Sequence, residues 1–145
     1  MGDRHEPLST LLDRIPHRPP MRLIDEVLEV GDAHIVTAAT IAPSHILLRD
    51  GIVSPLLAIE IFAQSAAALV AHRSGAGGAL HISGALLGTR SLDVFTDGFR
   101  VGDRLRAVAR EAWGAGALAQ FECDLYLDEA RVAHGSINVT SEAVG

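Results

Sequence analysis

The chain has 145 residues, of which 48% are hydrophobic and 21% charged, and its formal net charge is −6. This length and apolar content predict one globular domain spanning 1–145, and the acidic balance argues against nucleic acid, which demands a basic face. All 12 cationic residues are Arg, which excludes phosphate-loop and Schiff-base lysines. A single cysteine, Cys123, cannot form an internal disulfide and predicts a reducing cytoplasmic location.

The first part of the chain predicts a short helix and then a hairpin. Residues 7–15 place leucines on one helical face after a proline at the first turn. Two β-branched runs, 21–30 and 33–41, flank a glycine and predict paired strands. The loop APSHILLRDG leads to Ser54 and Pro55, where serine can cap a helix and proline fits its first position.

The central predicted helix covers residues 55–72 and is apolar nearly all round, as in a helix enclosed by protein. The stretch is long enough to cross a bilayer. Glu60 and Gln64 near its centre, and the alternating strands after it, argue against a membrane span. Small residues at Ala63 and 66–68 allow a sheet to approach closely. We therefore expect this helix to be the most buried element.

Four strands are predicted after a glycine-rich loop. The first, in HISGALLGTRSLDVF, contains glycines that indicate a bulge or a close approach of the backbone to a ligand. The next three alternate apolar and polar residues, which is typical of antiparallel strands with one dry face and one wet face. Short turns predict that these three form a meander. The whole pattern predicts an α+β fold, in which one curved antiparallel sheet wraps around one long helix.

Glu60 is the main candidate for chemistry, because it lies on an otherwise apolar helix face. Helical spacing puts Leu56, Ala63, Gln64 and Ala67 on that face. Burial without a cationic partner favours a protonated carboxyl, which a general acid requires. A structural carboxylate that binds backbone amides or faces a subunit interface is the alternative.

His45, in the loop before the helix, is the candidate base. Loss of water from a 3-hydroxyacyl thioester needs a base at C2 and an acid at the C3 hydroxyl, and amides at the helix start can stabilise the enolate oxygen. An ordinary surface histidine is the alternative. The other histidines lack a metal-ligand spacing, so neither metal nor cofactor is expected. Cys123 falls on a dry strand face and is expected in the core.

Four motifs resemble those of the hot-dog dehydratases that act on 3-hydroxyacyl-(acyl carrier protein): IPHRPPMRLIDEVLEV, AIEIFAQSAAA, VGDRL and ARVAHGSINV. The likeness is closer to the variant branch found with aryl polyene biosynthesis. It is carried by Pro16-His17 with Pro20-Met21, by Ile59-Glu60 with Ala63-Gln64, and by residues 84–90. The resemblance implies a hot-dog fold and a dimer with its active site between subunits.

The resemblance also implies roles for individual residues. Glu60 matches the family's helix carboxylate, Gln64 would support it, and the helix start at Ser54 and Pro55 would clamp the thioester carbonyl. Gly84, the first residue of the matching stretch 84–90, would contact substrate. Mainstream members carry His-Phe-Pro-Gly-x-Pro, whereas this chain reads SHILLRDGIVSP. His45 therefore stands one residue further from the helix carboxylate than usual, and His17 is the alternative base.

Three functions follow as expectations. The first is a dehydratase that converts the 3-hydroxyacyl thioester of acyl carrier protein, or of coenzyme A, into the trans-2-enoyl thioester. The second is a non-catalytic subunit that binds acyl chains or completes another hot-dog subunit's site in a heteromer. The third is an acyl thioesterase, because related hot-dog enzymes use a helix carboxylate to activate water. A homodimer or higher oligomer is expected, with a heteromer that includes another hot-dog subunit as the alternative.

Overall fold

The computed structural model describes residues 8–13, 15, 18–73, 81–116 and 118–144. Its elements are α1 (Leu8–Leu11), β1 (Glu26–Val30), β2 (His34–Thr40), α2 (Leu57–Arg73), β3 (His81–Val94), β4 (Arg104–Ala115), β5 (Leu118–Leu127) and β6 (Ala130–Val144). The strands form one antiparallel sheet in the order β1-β2-β4-β5-β6-β3. The predicted hairpin, meander and α+β architecture are confirmed.

The sheet has the predicted dry face. The buried residues on it alternate along β4, β5 and β6: Leu105, Ala107, Ala109, Phe121, Cys123, Leu125, Ala133 and Ile137. Burial raises the pKa of the Cys123 thiol, and the neighbouring carboxylates of Glu122 and Asp124 raise it further. A thiol held in its neutral form in the core is a poor nucleophile, so Cys123 is a packing residue as predicted.

The helix α2 packs against five of the six strands and is the central element of the core. Ser54 caps it as predicted, because its Oγ accepts the Leu56 N–H at 3.2 Å. The regular helix begins at Leu57, two residues after the predicted start. A buried hydroxyl pair, Thr37 Oγ1 and Ser65 Oγ at 2.8 Å, ties α2 to β2. Among the described residues, no helix has the length and apolarity needed to cross a membrane.

One stripe of α2 is not covered by the chain's own sheet. Glu60 is exposed on it, and Ala63 and Ala67 are half-buried. Ala67 is therefore not fully enclosed by this chain, because it follows Ala63 by one helical turn on the open stripe. The alanines on either side of Ala67, Ala66 and Ala68, are fully buried, each 0% exposed.

The strand β3 pairs with β6 along its length, at one edge of the sheet. A register shift between Leu86 and Gly88 confirms the predicted irregularity at the glycines. Gly84 lies before this shift and is paired with Ser141. In the N-terminal segment, Leu11 and Ile15 enter the core with 0% and 1% exposure, while His17 lies outside the described residues.

Candidate active site

A pocket of about 360 Å³ opens beside the start of α2. Three polar side chains lie on an otherwise aliphatic wall, and the lining residues within the described chain are Leu47, Arg49, Val53, Ser54, Leu56, Leu57 and Glu60. The wall thus combines one cation, one anion and one hydroxyl in apolar surroundings, the combination typical of a small-molecule site.

The segment before the helix is a compact hairpin rather than an irregular loop. Asp50 and Gly51 both have positive φ, 52° and 80°, as the central residues of a type I′ turn require. Around them, the Arg49 N–H donates to Ile52 O at 2.9 Å and the Ile52 N–H donates to Arg49 O at 3.0 Å. This turn holds Arg49 against the pocket.

A second pair of backbone hydrogen bonds fixes the segment to the core. Val53 and Phe99 exchange N–H···O bonds of 2.8 and 2.9 Å, and Phe99 is 0% exposed. Gly98 permits this close approach, because its φ is 148° and a Cβ there would lie 2.8 Å from Val53 O. The pocket wall at Val53 therefore depends on a glycine more than forty positions away in sequence.

Arg49 is the lining residue that the sequence interpretation missed. Its Nη1 donates to Ile46 O at 3.0 Å and to Leu48 O at 2.8 Å. No carboxylate among the described residues pairs with it. The Asp-Gly pair directly after Arg49 is a strong hairpin signal and would have placed this side chain in a short turn.

Glu60 lies on the pocket wall, at the first turn of α2. Its carboxylate makes no hydrogen bond or ion pair within the described part of the chain, and the residue is exposed. The chain's own sheet does not supply the expected burial. Burial at an interface between subunits stays a prediction. Arg49 and Glu60 thus bring opposite charges to one pocket with no ion pair joining them.

Gln64 has partners other than Glu60. It is 0% exposed, its Oε1 accepts the N–H of Leu23 at 2.7 Å and of Ile24 at 3.4 Å, and its Nε2 donates to Met21 O at 2.9 Å. The amide therefore fastens the N-terminal segment to α2. The support for the helix carboxylate that the resemblance implied is replaced by this contact, since the buried backbone groups need a partner.

His45 does not line the pocket. Its Nδ1 accepts the Leu47 N–H at 3.1 Å, so the proton of the neutral ring resides on Nε2. Partial burial lowers the pKa of His45, and the Asp25 carboxylate partly opposes that effect. The ring is therefore held neutral, with its accepting nitrogen already in use.

The predicted carbonyl clamp at the helix start has few open donors. The N–H groups of Leu57 and Ala58 donate to Ser54 O and Pro55 O, each at 3.1 Å, and that of Leu56 donates to Ser54 Oγ at 3.2 Å. Ser54 lies on the wall and keeps its own O–H for a ligand. Pro55 and Gly84 are not on the described wall. The described residues contain no cluster suited to a metal ion.

The six-stranded antiparallel sheet around one helix, with a carboxylate of that helix at an apolar pocket, defines a hot-dog protein. The model of the ApeP-like family, described as ApeP dehydratase, matches residues 9–143. The chain therefore belongs to the ApeP-like dehydratase family. A search of curated protein sequences found no match.

Solved structures agree with this assignment. The dehydratase heterocomplex ApeI:P from Xenorhabdus doucetiae contains a chain that is 26% identical, with a TM-score of 0.80 and 90% of each chain covered. Cj0977, a sigma28-regulated virulence protein from Campylobacter jejuni, is 12% identical, with a TM-score of 0.67 over 93% of this chain and 89% of that chain. The PaaI protein of the E. coli phenylacetic acid degradation operon is 13% identical, with a TM-score of 0.63 over 81% of this chain and 82% of that chain. The last two share the fold alone.

Proposed function

We propose that the chain is a dehydratase subunit that removes water from a 3-hydroxyacyl thioester and yields the trans-2-enoyl thioester. The observation that carries the proposal is Glu60 on the wall of an apolar pocket at the start of the hot-dog helix. Membership of the ApeP-like dehydratase family supports it. The thioester carrier is acyl carrier protein or coenzyme A, and the catalytic assembly contains at least two hot-dog subunits.

In the proposed reaction, Glu60 acts as the general acid. A base removes the proton at C2, and the electron pair moves onto the thioester oxygen as an enolate. The pair then returns to form the C2–C3 double bond as the C3–O bond breaks. Glu60 donates its proton to the departing hydroxyl, so the products are water and the enoyl thioester. The aliphatic wall formed by Leu47, Val53 and Leu57 accommodates the acyl chain.

The base is proposed to be His45 acting on substrate in a neighbouring subunit's pocket. The ring is neutral, as a base must be, and its loop flanks the hairpin that borders the pocket. To accept a proton, the ring must lose the hydrogen bond from the Leu47 N–H. Either Nδ1 itself becomes the acceptor of the substrate proton, or the ring changes tautomer, so that Nδ1 carries a hydrogen and Nε2 accepts. His17 is the substitute base.

A second function, a subunit that completes a partner's active site, is favoured by one observation. His45 is off the wall of its own pocket and its Nδ1 is occupied, which suits a chain that supplies Glu60 while another hot-dog subunit supplies the base. The similar chain from Xenorhabdus doucetiae comes from a heterocomplex.

One assay separates these functions. The purified chain is incubated with 3-hydroxybutanoyl thioesters of carrier protein and coenzyme A, alone and with a second hot-dog subunit from the same cell. Enoyl product from the chain alone supports the dehydratase, and product only from the mixture supports the completing subunit. Free thiol would instead indicate a thioesterase. Unchanged substrate in every sample would overturn the proposal.

A further inference from the structure

No carboxylate among the described residues neutralises the positive charge of Arg49. Several other arginines of the described chain are paired with carboxylates, for example Arg22 with Asp13, Arg73 with Glu111 and Arg104 with Glu26. The Nη1 of Arg49 meets only the carbonyl oxygens of Ile46 and Leu48. On a chain of net charge −6, an unpaired guanidinium on a pocket wall is suited to bind negative charge from a ligand.

The position of Arg49 is well defined by the backbone. It opens the type I′ turn at Asp50 and Gly51, and the hydrogen bonds with Ile52 close that turn. A guanidinium has five N–H donors, and two carbonyls use only those of Nη1. The Nε and Nη2 donors have no acceptor in the described part of the chain. The guanidinium is therefore held in place through Nη1, while Nε and Nη2 can donate hydrogen bonds to a ligand.

The proposed elimination leaves a negative charge that needs a donor. Loss of the C2 proton places an electron pair on the thioester oxygen as an enolate. The helix-start N–H groups of Leu56, Leu57 and Ala58 already have acceptors within the chain. The other donors on the wall are the neutral Ser54 hydroxyl and the cationic Arg49. A charged donor stabilises a full negative charge more strongly than a neutral one.

We propose that Arg49 is a second catalytic residue, whose guanidinium donates hydrogen bonds to the thioester carbonyl oxygen and stabilises the enolate. The inference rests on the proposed dehydration. Glu60 and Arg49 then act on one substrate, the carboxyl at the C3 hydroxyl and the guanidinium at the C1 oxygen. Arg49 transfers no proton: the C2 proton goes to the base and the Glu60 proton leaves with water. No ion pair joins the two side chains within the described residues, so both charged groups are available to the substrate.

Carbonyl polarisation tests the inference without turnover. Butanoyl-coenzyme A labelled with ¹³C at the carbonyl has no hydroxyl to lose, and its carbonyl stretch is recorded by infrared difference spectroscopy on the bound ligand. In the unmodified protein, the stretch should move to lower frequency than in solution. In Arg49→Gln it should return toward the solution value, and in Arg49→Lys it should stay lowered. Glu60→Gln should leave the shift unchanged.

Steady-state kinetics of dehydration provide the second readout. Arg49→Gln should lower kcat about 100-fold, as loss of an oxyanion donor does in other enzymes, with KM changed much less. Arg49→Lys should recover part of kcat, and Arg104→Gln, at an exposed arginine paired with Glu26, should match the parent. Equal carbonyl stretch in the parent and Arg49→Gln would overturn the inference whether or not the chain dehydrates. A parent that polarises the carbonyl but forms no enoyl product would overturn only the proposed function.

Discussion

The side-chain amide of Gln64 accepts the backbone N–H of Leu23 at 2.7 Å, across 41 residues of chain. The same amide donates to Met21 O at 2.9 Å. It therefore connects the segment before β1 to the middle of the central helix, through a fully buried side chain. This contact, together with the buried side chains of Leu23 and Ile24, holds the N-terminal segment in the core.

Replacement of Gln64 by Leu should destabilise the fold. The buried N–H of Leu23 would lose its acceptor, and each buried polar group left unpaired costs about 1–3 kcal/mol. The free energy of unfolding, from urea denaturation, should fall by about 2–5 kcal/mol. Gln120→Leu is the control, since Gln120 is only half-buried and water can reach its partners. Equal losses in both variants would show that the amide contact has no special importance.

Protonation of His45 should destabilise the folded protein. Burial lowers its pKa below the usual value of 6.5, so the unfolded chain binds the proton first as the pH falls. The free energy of unfolding should therefore be unaffected by His45 above about pH 6.5. It should decline from there down to the lowered pKa. Protonation also removes the Nδ1 acceptor of the Leu47 N–H.

The His45→Asn variant isolates this effect, because asparagine retains an acceptor two residues before Leu47 but does not titrate. As the pH falls from about 6.5 to about 5, where an unperturbed histidine titrates, the free energy of unfolding of this variant should decrease less than that of the parent. In Asp25→Asn, the pKa of His45 measured by NMR should drop further, because a charge that raises it is gone. A rise would contradict the assigned cause.

Ala68 and Ala67 are neighbours on α2 with opposite surroundings. Ala68 is 0% exposed and Ala67 is half-buried on the open stripe. Ala68→Asp should cost about 4 kcal/mol or more, because it buries an unpaired carboxylate. Ala67→Asp should cost at least ~2 kcal/mol less, since its carboxylate can reach water. Thermal unfolding measures both, and equal melting temperatures would mean that the stripe is covered.

The sheet was predictable from sequence because its signal is local. Residues such as Leu105, Phe121 and Ile137 alternate with polar neighbours, and a period of two permits one dry face only. The central helix was predictable for the same reason, since an apolar run preceded by Ser54-Pro55 defines its start within two residues.

The site was only partly predictable, because it depends on contacts distant in sequence. Helical spacing puts Glu60 and Gln64 on one face. However, Gln64 is buried and accepts the N–H of Leu23, 41 residues away, while Glu60 is exposed. Periodicity and composition do not record such distant contacts. Arg49 was missed for a different reason: the Asp50-Gly51 pair indicates its turn locally, but not that the turn borders a pocket.

Gly98 should be the least replaceable of the described loop glycines near the site. Its φ of 148° is rare for other residues, and an added Cβ would lie 2.8 Å from the Val53 carbonyl oxygen. Gly98→Ala should cost about 1–3 kcal/mol of strain and weaken acyl-ligand binding, because Val53 lines the pocket. Gly88→Ala, with no atom within 4 Å of the added Cβ, should change neither property. Comparable losses in both variants would rule out the proposed close packing.

Glu60→Gln should abolish dehydration and leave the fold intact. The carboxylate has no hydrogen bond or ion pair in the described part of the chain, so the free energy of unfolding should change by less than about 0.5 kcal/mol. The amide keeps the shape of the side chain but cannot donate a proton as an acid does, and kcat should fall by about 100-fold or more.

Glu129→Gln, in the exposed turn between β5 and β6, is the matched control for this variant and should keep full activity. Both proteins are assayed in the assembly that is active in the parent, with the enoyl product followed by its absorbance. Turnover by Glu60→Gln at the parental rate would remove Glu60 as the acid. A loss of kcat accompanied by a lower melting temperature would instead assign the carboxylate a structural role, because removal of an exposed acid without partners should not affect folding.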